Sequence, residues 1–376
     1  MIEVREDIQE LRETIYNHRK NLNKLAEQGF KEYKTSKYIR DYLDKLNIEY
    51  KTYLGTDVVG MIKGTNPSKN IAFRSDIDAL VTEYGIKHLC GHDGHMSILL
   101  GFLEYLKNNE DKLKDNIIFI FQPAEEGPGG AEKLVEKNVL KEFEVDEIYG
   151  LHLYPEIEQG QIGVRSGYFL AQNGEINIDI KGKSGHGAMP QNTIDAIIIA
   201  CDFVNRLQSI ISRNISPVES AVLTFGKIEG GSVRNIIADT VRVEGTIRVF
   251  NPNVYSTIKD RIVEIAKGFE IGYNCEINVE IIDGYLAVNN DKRLVKKFKE
   301  SLHEDIVIEL EPLMISEDFS FYQKEVPGLF FMLGSRNKEK KYTSGLHNIN
   351  FNFDEEILLY GIETYVNLLN SFESLD

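Results

Sequence analysis

The middle third of the chain most restricts what it can fold into. From Gly174 the apolar period runs strand (Glu175–Lys181), helix (Thr193–Ser212), strand (Ala221–Glu229), strand (Thr240–Phe250), helix (Tyr255–Phe269), strand (Cys275–Ile282). That βαββαβ order predicts a ferredoxin-like split unit. The flanks read differently. Strands are expected at Val58–Ile62, Ile71–Arg74, Ile117–Phe121, Asp146–Leu153 and Leu329–Leu333, and their continuous Ile/Phe/Val runs suit a sheet buried on both faces. Helices are expected as a pair between about Arg5 and Leu46, at Met96–Leu106 and at Glu355–Asn370. A length of 376 residues suits two domains. The expected architecture is therefore α/β in two domains. A large α/β domain (1–173 and 288–376) is discontinuous in sequence, interrupted by an inserted ferredoxin-like α+β domain (174–287).

A composition of 42% hydrophobic and 27% charged residues is that of an ordinary globular protein. The net charge of −16 argues against nucleic acid as a partner, because phosphate binding wants clustered Lys and Arg. The first twenty residues are charged throughout and lack the apolar core of a signal peptide. No stretch is long and apolar enough to span a bilayer, so no membrane partner is expected. Cys90, Cys201 and Cys275 are odd in number and widely scattered, which argues against a disulfide framework and for the reducing cytoplasm.

Two short stretches carry the chemistry: CGHDGH (Cys90–His95) and QPAEEG (Gln122–Gly127). Thiolate and imidazole suit zinc, and added carboxylates widen the choice to manganese or cobalt. Adjacent carboxylates at Glu125 and Glu126 repel each other. A cation between or beside them relieves this and leaves one carboxylate to take a proton from water. Gln122-Pro123 before the pair and Gly127-Pro128-Gly129-Gly130 after it make a tightly turned loop. Asp76 and Asp78 follow one predicted strand, Glu125 and Glu126 another, and His152 closes a third; His347 lies in the loop after Leu329–Leu333. Groups at the carboxyl ends of strands in an open α/β sheet can converge on one site. His88 and His95 are read as supporting hydrogen-bond donors or packing residues. Flanking glycines leave the His186 ring free to act as a hydrogen-bond donor to a developing charge.

Taken together these residues resemble the M20 metallopeptidase family, in the amidohydrolase branch that includes hippurate hydrolase. The resemblance runs from Arg19 to about Phe353. It rests on FRSDIDAL (Phe73–Leu80), CGHDGH, FIFQPAEEGPGGA (Phe119–Ala131), GLHLYP (Gly150–Pro155), SGHGAMP (Ser184–Pro190), GGSVRNIIAD (Gly230–Asp239), EGTIR (Glu244–Arg248), SEDFSFY (Ser316–Tyr322) and GLHNINF (Gly345–Phe351). The family implies two divalent metal ions held by Cys90, His92, Glu126, His152 and His347, with Glu125 as general base and Asp76 as a supporting aspartate. It implies that the inserted domain acts as a lid and can pair two copies as a homodimer. From that domain His186 and Asn235 would hold the developing oxyanion or the substrate's carboxylate, with Arg248 a further candidate for the same anion. The implied reaction removes an acyl group from a small N-acylated amino acid. Within the branch the similarity points to acetylated diaminopimelate, on the route to lysine. The alternatives are a hippurate-type or general N-acyl-amino-acid amidohydrolase or dipeptidase, or a non-catalytic metal-binding homologue. The chain departs from the family in two places. The N-terminal motif lacks its His and Pro within Arg19–Glu27, and the loop before Cys90 is cut to Val81–Leu89.

Overall fold

The computed structural model describes residues 2–375. The chain divides into two compact units. One comprises Met1–Phe169, Asn289–Glu311 and Asp318–Asp376; the other comprises Leu170–Val288 with Pro312–Glu317. The short segment Pro312–Glu317 thus joins the smaller unit, although its sequence position suggests the larger. Ala171 N–H donates to the Ile315 carbonyl at 2.8 Å, which ties it there.

Among the described residues the larger unit carries an eight-stranded sheet. Its spatial order is Tyr50–Lys51, Val58–Ile62, Asn116–Gln122, Asn70–Asp76, Glu147–Glu158, Gly328–Arg336, Ile162–Val164, Val307–Glu309. The central pairs, Asn70–Asp76 with Asn116–Gln122 and with Glu147–Glu158, and Glu147–Glu158 with Gly328–Arg336, are parallel. Parallel strands need both faces covered, and these are buried along nearly their whole length, as their unbroken apolar runs require. The core on one side is built from the helices Arg12–Lys24, His92–Asn108 and Glu356–Ser371. Ile15, Phe102 and Ile362 pack there against Phe73, Tyr149 and Phe331 of the strands.

The N-terminal helical region is three helices rather than two: Glu6–Glu10, Arg12–Lys24 and Tyr33–Lys45, the first break falling at Leu11. The helix expected from Met96 begins at His92. Gly91 at φ 92° supplies the left-handed residue that turns the chain into it, so the second half of CGHDGH lies on the first helical turn.

The smaller unit has a four-stranded antiparallel sheet. Its order is Ala221–Gly230, Thr240–Val249, Gln172–Lys181, Glu276–Asp283, with helices Ala196–Asn214 and Pro252–Tyr273 on one face. Numbered along the chain this is 2-3-1-4, the ferredoxin-like arrangement. Asp195 caps the first helix by accepting from the N–H groups of Ile197 and Ile198.

Candidate metal centre

Asp76 ends its strand, Glu125 and Glu126 follow theirs, and His152 lies within the strand Glu147–Glu158. These strands are neighbours and parallel, so their polar residues reach the same end of the sheet. Ligand atoms of Cys90, His92 and His152 lie within 4.8 Å of one another, and so do those of Cys90, Glu126 and His347. A third such group is His92, Glu125 and Glu126. The structure therefore brings together Cys90, His92, Glu125, Glu126, His152 and His347. Cys90 Sγ stands 3.3 Å from Nε2 of both His152 and His347.

Hydrogen bonds fix which imidazole nitrogen faces inward. Nδ1 of His92 lies 3.0 Å from the Asp78 carbonyl, and Nδ1 of His152 lies 2.7 Å from the Leu153 carbonyl. A carbonyl only accepts, so each Nδ1 carries a proton and Nε2 is the nitrogen turned to the centre. His92 Nε2 and Glu126 Oε1 are buried and make no hydrogen bond. The Cys90 thiol has one proton and two facing nitrogens. Burial and the nearby Glu126, Glu125 and Asp76 push that thiol well above its usual range. Burial opposes a charged His92, but Asp76, Asp78 and Glu126 outweigh it and lift the ring to about 10. His152 is driven well below its usual value by burial and by His95 and His92. Buried anions, orphaned lone pairs and a suppressed thiolate are what a divalent cation resolves, so the donor set fits a metal.

Around these donors lies a second ring. Asp76 accepts from His95 at 2.7 Å and from Arg74 at 2.9 Å, and His95 Nε2 accepts the Leu153 N–H at 2.9 Å. Burial opposes ionisation, but the charge of His92, followed by these contacts with His95 and Arg74, holds the Asp76 carboxyl well below the usual range. Asp78 accepts from the N–H groups of Glu125 (3.1 Å) and Glu126 (3.0 Å). Asp318 accepts from Arg74, Gln122, and the N–H groups of Gly130 and Ala131, fixing the far end of the same loop. Sequence reasoning placed Asp78 among the groups converging at the strand ends and Gln122 in the tight loop, and gave no role to Arg74 or Asp318. Their signal was present in the RSDID and SEDFSF motifs, but nothing in a linear motif says that a carboxylate will be spent on backbone N–H groups.

In the smaller unit His186 and Asn235 are brought side by side. His186 pairs with Ile236 on a two-residue strand, and Gly187 N–H donates to the Asn235 carbonyl at 2.9 Å. Ala188 N–H donates to His186 Nδ1 at 3.1 Å, which puts the ring proton on Nε2. Arg248 is half-buried and donates to Ser316 Oγ at 2.7 Å. The shortened loop before Cys90 is a small hairpin, Leu80–Thr82 with Gly85–Lys87, that leaves Val81 and Tyr84 exposed.

Residues 72–371 match the model of peptidase family M20/M25/M40. The chain belongs to this family and is a hydrolase of it. A solved structure described as a dinuclear metal-binding peptidase of the M20 family, from Bacillus subtilis, superposes with a TM-score of 0.82 at 30% identity, over 96% of this chain and 98% of that one. Among relatives, the N-acetyldiaminopimelate deacetylase of Priestia megaterium is 42% identical over 347 residues, 88% of this chain and 90% of its own length. The enzyme of the same name from Listeria monocytogenes is 39% identical over 370 residues, 94% of this chain and 98% of its own. Among the described residues no helix is long and apolar enough to cross a membrane.

Proposed function

We propose that this chain hydrolyses the acetyl amide of N-acetyldiaminopimelate, releasing acetate and diaminopimelate. The observation that carries the chemistry is the pair of donor triads sharing Cys90, with Glu125 grouped against His92 and Glu126. The substrate rests on relatives of that name at about 40% identity over nearly the whole chain.

In this reading Cys90, His92, Glu126, His152 and His347 hold two divalent ions, zinc, manganese or cobalt. Such ions polarise a carbonyl and bring the acidity of water to neutral pH. Glu125, at the tip of a loop tied down by Asp78, takes the proton of the attacking water on its carboxylate and returns it to the amine nitrogen as the C–N bond breaks. Asp76 orients His95 and balances the charge of Arg74 beneath the donors. From the smaller unit, His186 donates its Nε2–H to the carbonyl oxygen as that oxygen gains charge. Asn235 serves the same oxygen or the substrate's carboxylate, and Arg248 the carboxylate.

The test is acetate release by purified protein loaded in turn with zinc, manganese and cobalt, offered N-acetyl-L,L-diaminopimelate beside hippurate and N-acetylated monoamino acids. The diaminopimelate derivative is expected to give the highest kcat/KM; faster hippurate cleavage would reassign the substrate. Glu125→Gln is expected to cost at least about 100-fold in kcat with bound metal unchanged. Turnover surviving in Glu125→Gln at a tenth of wild type or more would remove its role as base.

A further inference from the structure

The segment Glu27–Glu32, between the helices Arg12–Lys24 and Tyr33–Lys45, touches both loops that carry the site. Ala79 N–H, next to Asp78, donates to the Glu27 carbonyl at 2.8 Å. Ala124 N–H, next to Glu125, donates to Glu32 Oε1 at 3.0 Å. Between these two contacts Gly29 lies so close to the second loop that a Cβ there would stand 2.7 Å from the Gly127 carbonyl oxygen and 2.8 Å from the Ala124 Cβ.

Glu32 stands at the N-cap position of Tyr33–Lys45 yet makes no cap to its own helix. Glu27 does that work instead, accepting from Lys34 N–H and Thr35 N–H at 2.9 Å each. The Glu32 carboxylate, fully buried, is directed to the Thr56 hydroxyl (2.9 Å) and to Ala124. Ala124 is itself in the left-handed region at φ 57°, a conformation that needs external support in a residue with a side chain.

We propose that Glu32 is a positioning residue for Glu125, holding the peptide before the base through Ala124 and so aiming its carboxylate. This rests on Glu125 being the base. Burial pushes the Glu32 carboxyl up to about 7, so an uncharged amide that keeps the acceptor oxygen is a close stand-in.

The experiment compares Glu32→Ala, Glu32→Gln, Gly29→Ala and Glu125→Gln in the full-length, zinc-loaded protein. Its readouts are kcat and KM on N-acetyl-L,L-diaminopimelate, zinc per chain, and hydrogen exchange of the peptide spanning 122–130. Glu32→Ala and Gly29→Ala are expected to lower kcat by on the order of 10–100-fold, the cost of misplacing a catalytic group by about 1 Å. KM should stay within about threefold, zinc should be retained, and exchange in 122–130 should speed up while the helix His92–Asn108 is unaffected. Glu32→Gln should stay within about threefold of wild type in kcat. Wild-type kcat or wild-type exchange in Glu32→Ala would overturn the proposal, as would Glu32→Gln falling as far as the alanine variant. If Glu32→Ala fails to fold, Gly29→Ala and Glu32→Gln decide between the same two outcomes. Glu125→Gln inactive with Glu32→Ala fully active removes the positioning role alone, whereas an active Glu125→Gln removes both assignments.

Discussion

The donors gathered at Cys90 are under opposing demands: burial and the nearby carboxylates keep the proton on the Cys90 thiol and favour one on His92, whereas a cation favours both without it. That contrast makes the site testable one side chain at a time. His186→Ala is expected to lower kcat by about 10²–10³-fold with zinc content unchanged, as for loss of one oxyanion donor; equal kcat in steady-state assays would take His186 out of the mechanism. Asp318→Asn weakens the buried partner of Arg74 and the acceptor for two N–H groups at the start of Gly130–Glu136. It is expected to destabilise the larger unit by about 3–5 kcal/mol, read as a fall in its melting transition. The residues with direct chemistry were legible because soft and acidic donors beside glycine are rare in a chain. Arg74, Glu32 and Asp318 were not. Among 59 acidic residues, those that bond to backbone N–H groups look like any others until the fold shows which amides they face.

At the scale of elements, periodicity located the central strands because parallel strands buried on both faces are mostly apolar, with polar residues such as Asp76 and His152 entering where the site lies. Helix starts were harder. His92–His95 carry polar side chains, and a reading that waits for apolar spacing places the start at Met96. In fact those polar residues are buried with partners: His92 is itself a candidate ligand, His95 bonds Asp76, and Asp93 accepts from Asn23, so the first turn is part of the site. Gly91→Ala would force a β-carbon into left-handed backbone at roughly 1–2 kcal/mol, so zinc affinity as well as melting temperature is expected to fall. The smaller unit offers a control. Asp195→Ala removes an N-cap from Ala196–Asn214 and is expected to cost about 1 kcal/mol in denaturant unfolding while leaving zinc content at the wild-type level.

For the molecule as a whole, pH and metal act on the same balance. His18 is buried, its Nδ1 2.9 Å from the Tyr38 hydroxyl, and burial with the charge of Lys45 lowers its pKa to about 4. Above pH 6.5 it is neutral folded and unfolded, and contributes no pH dependence. As pH falls from 6.5 to about 4 the unfolded chain takes up a proton that the folded chain refuses, and stability drops by on the order of 3 kcal/mol. His18→Gln should therefore lose less melting temperature than wild type between pH 7 and pH 5; parallel losses would exclude His18 as the cause. Chelation is expected to abolish activity and lower the melting temperature, with recovery set by free metal concentration. The order of strands has a consequence for synthesis. Gly328–Arg336 lies inside the large sheet, between Glu147–Glu158 and Ile162–Val164, and His347 follows it. On the ribosome, a nascent chain that has emerged only as far as residue 300 owns four of its five candidate ligands and a sheet with its middle missing. Leu170–Val288 is by then outside the exit tunnel, long before the larger unit can bring its candidate ligands together.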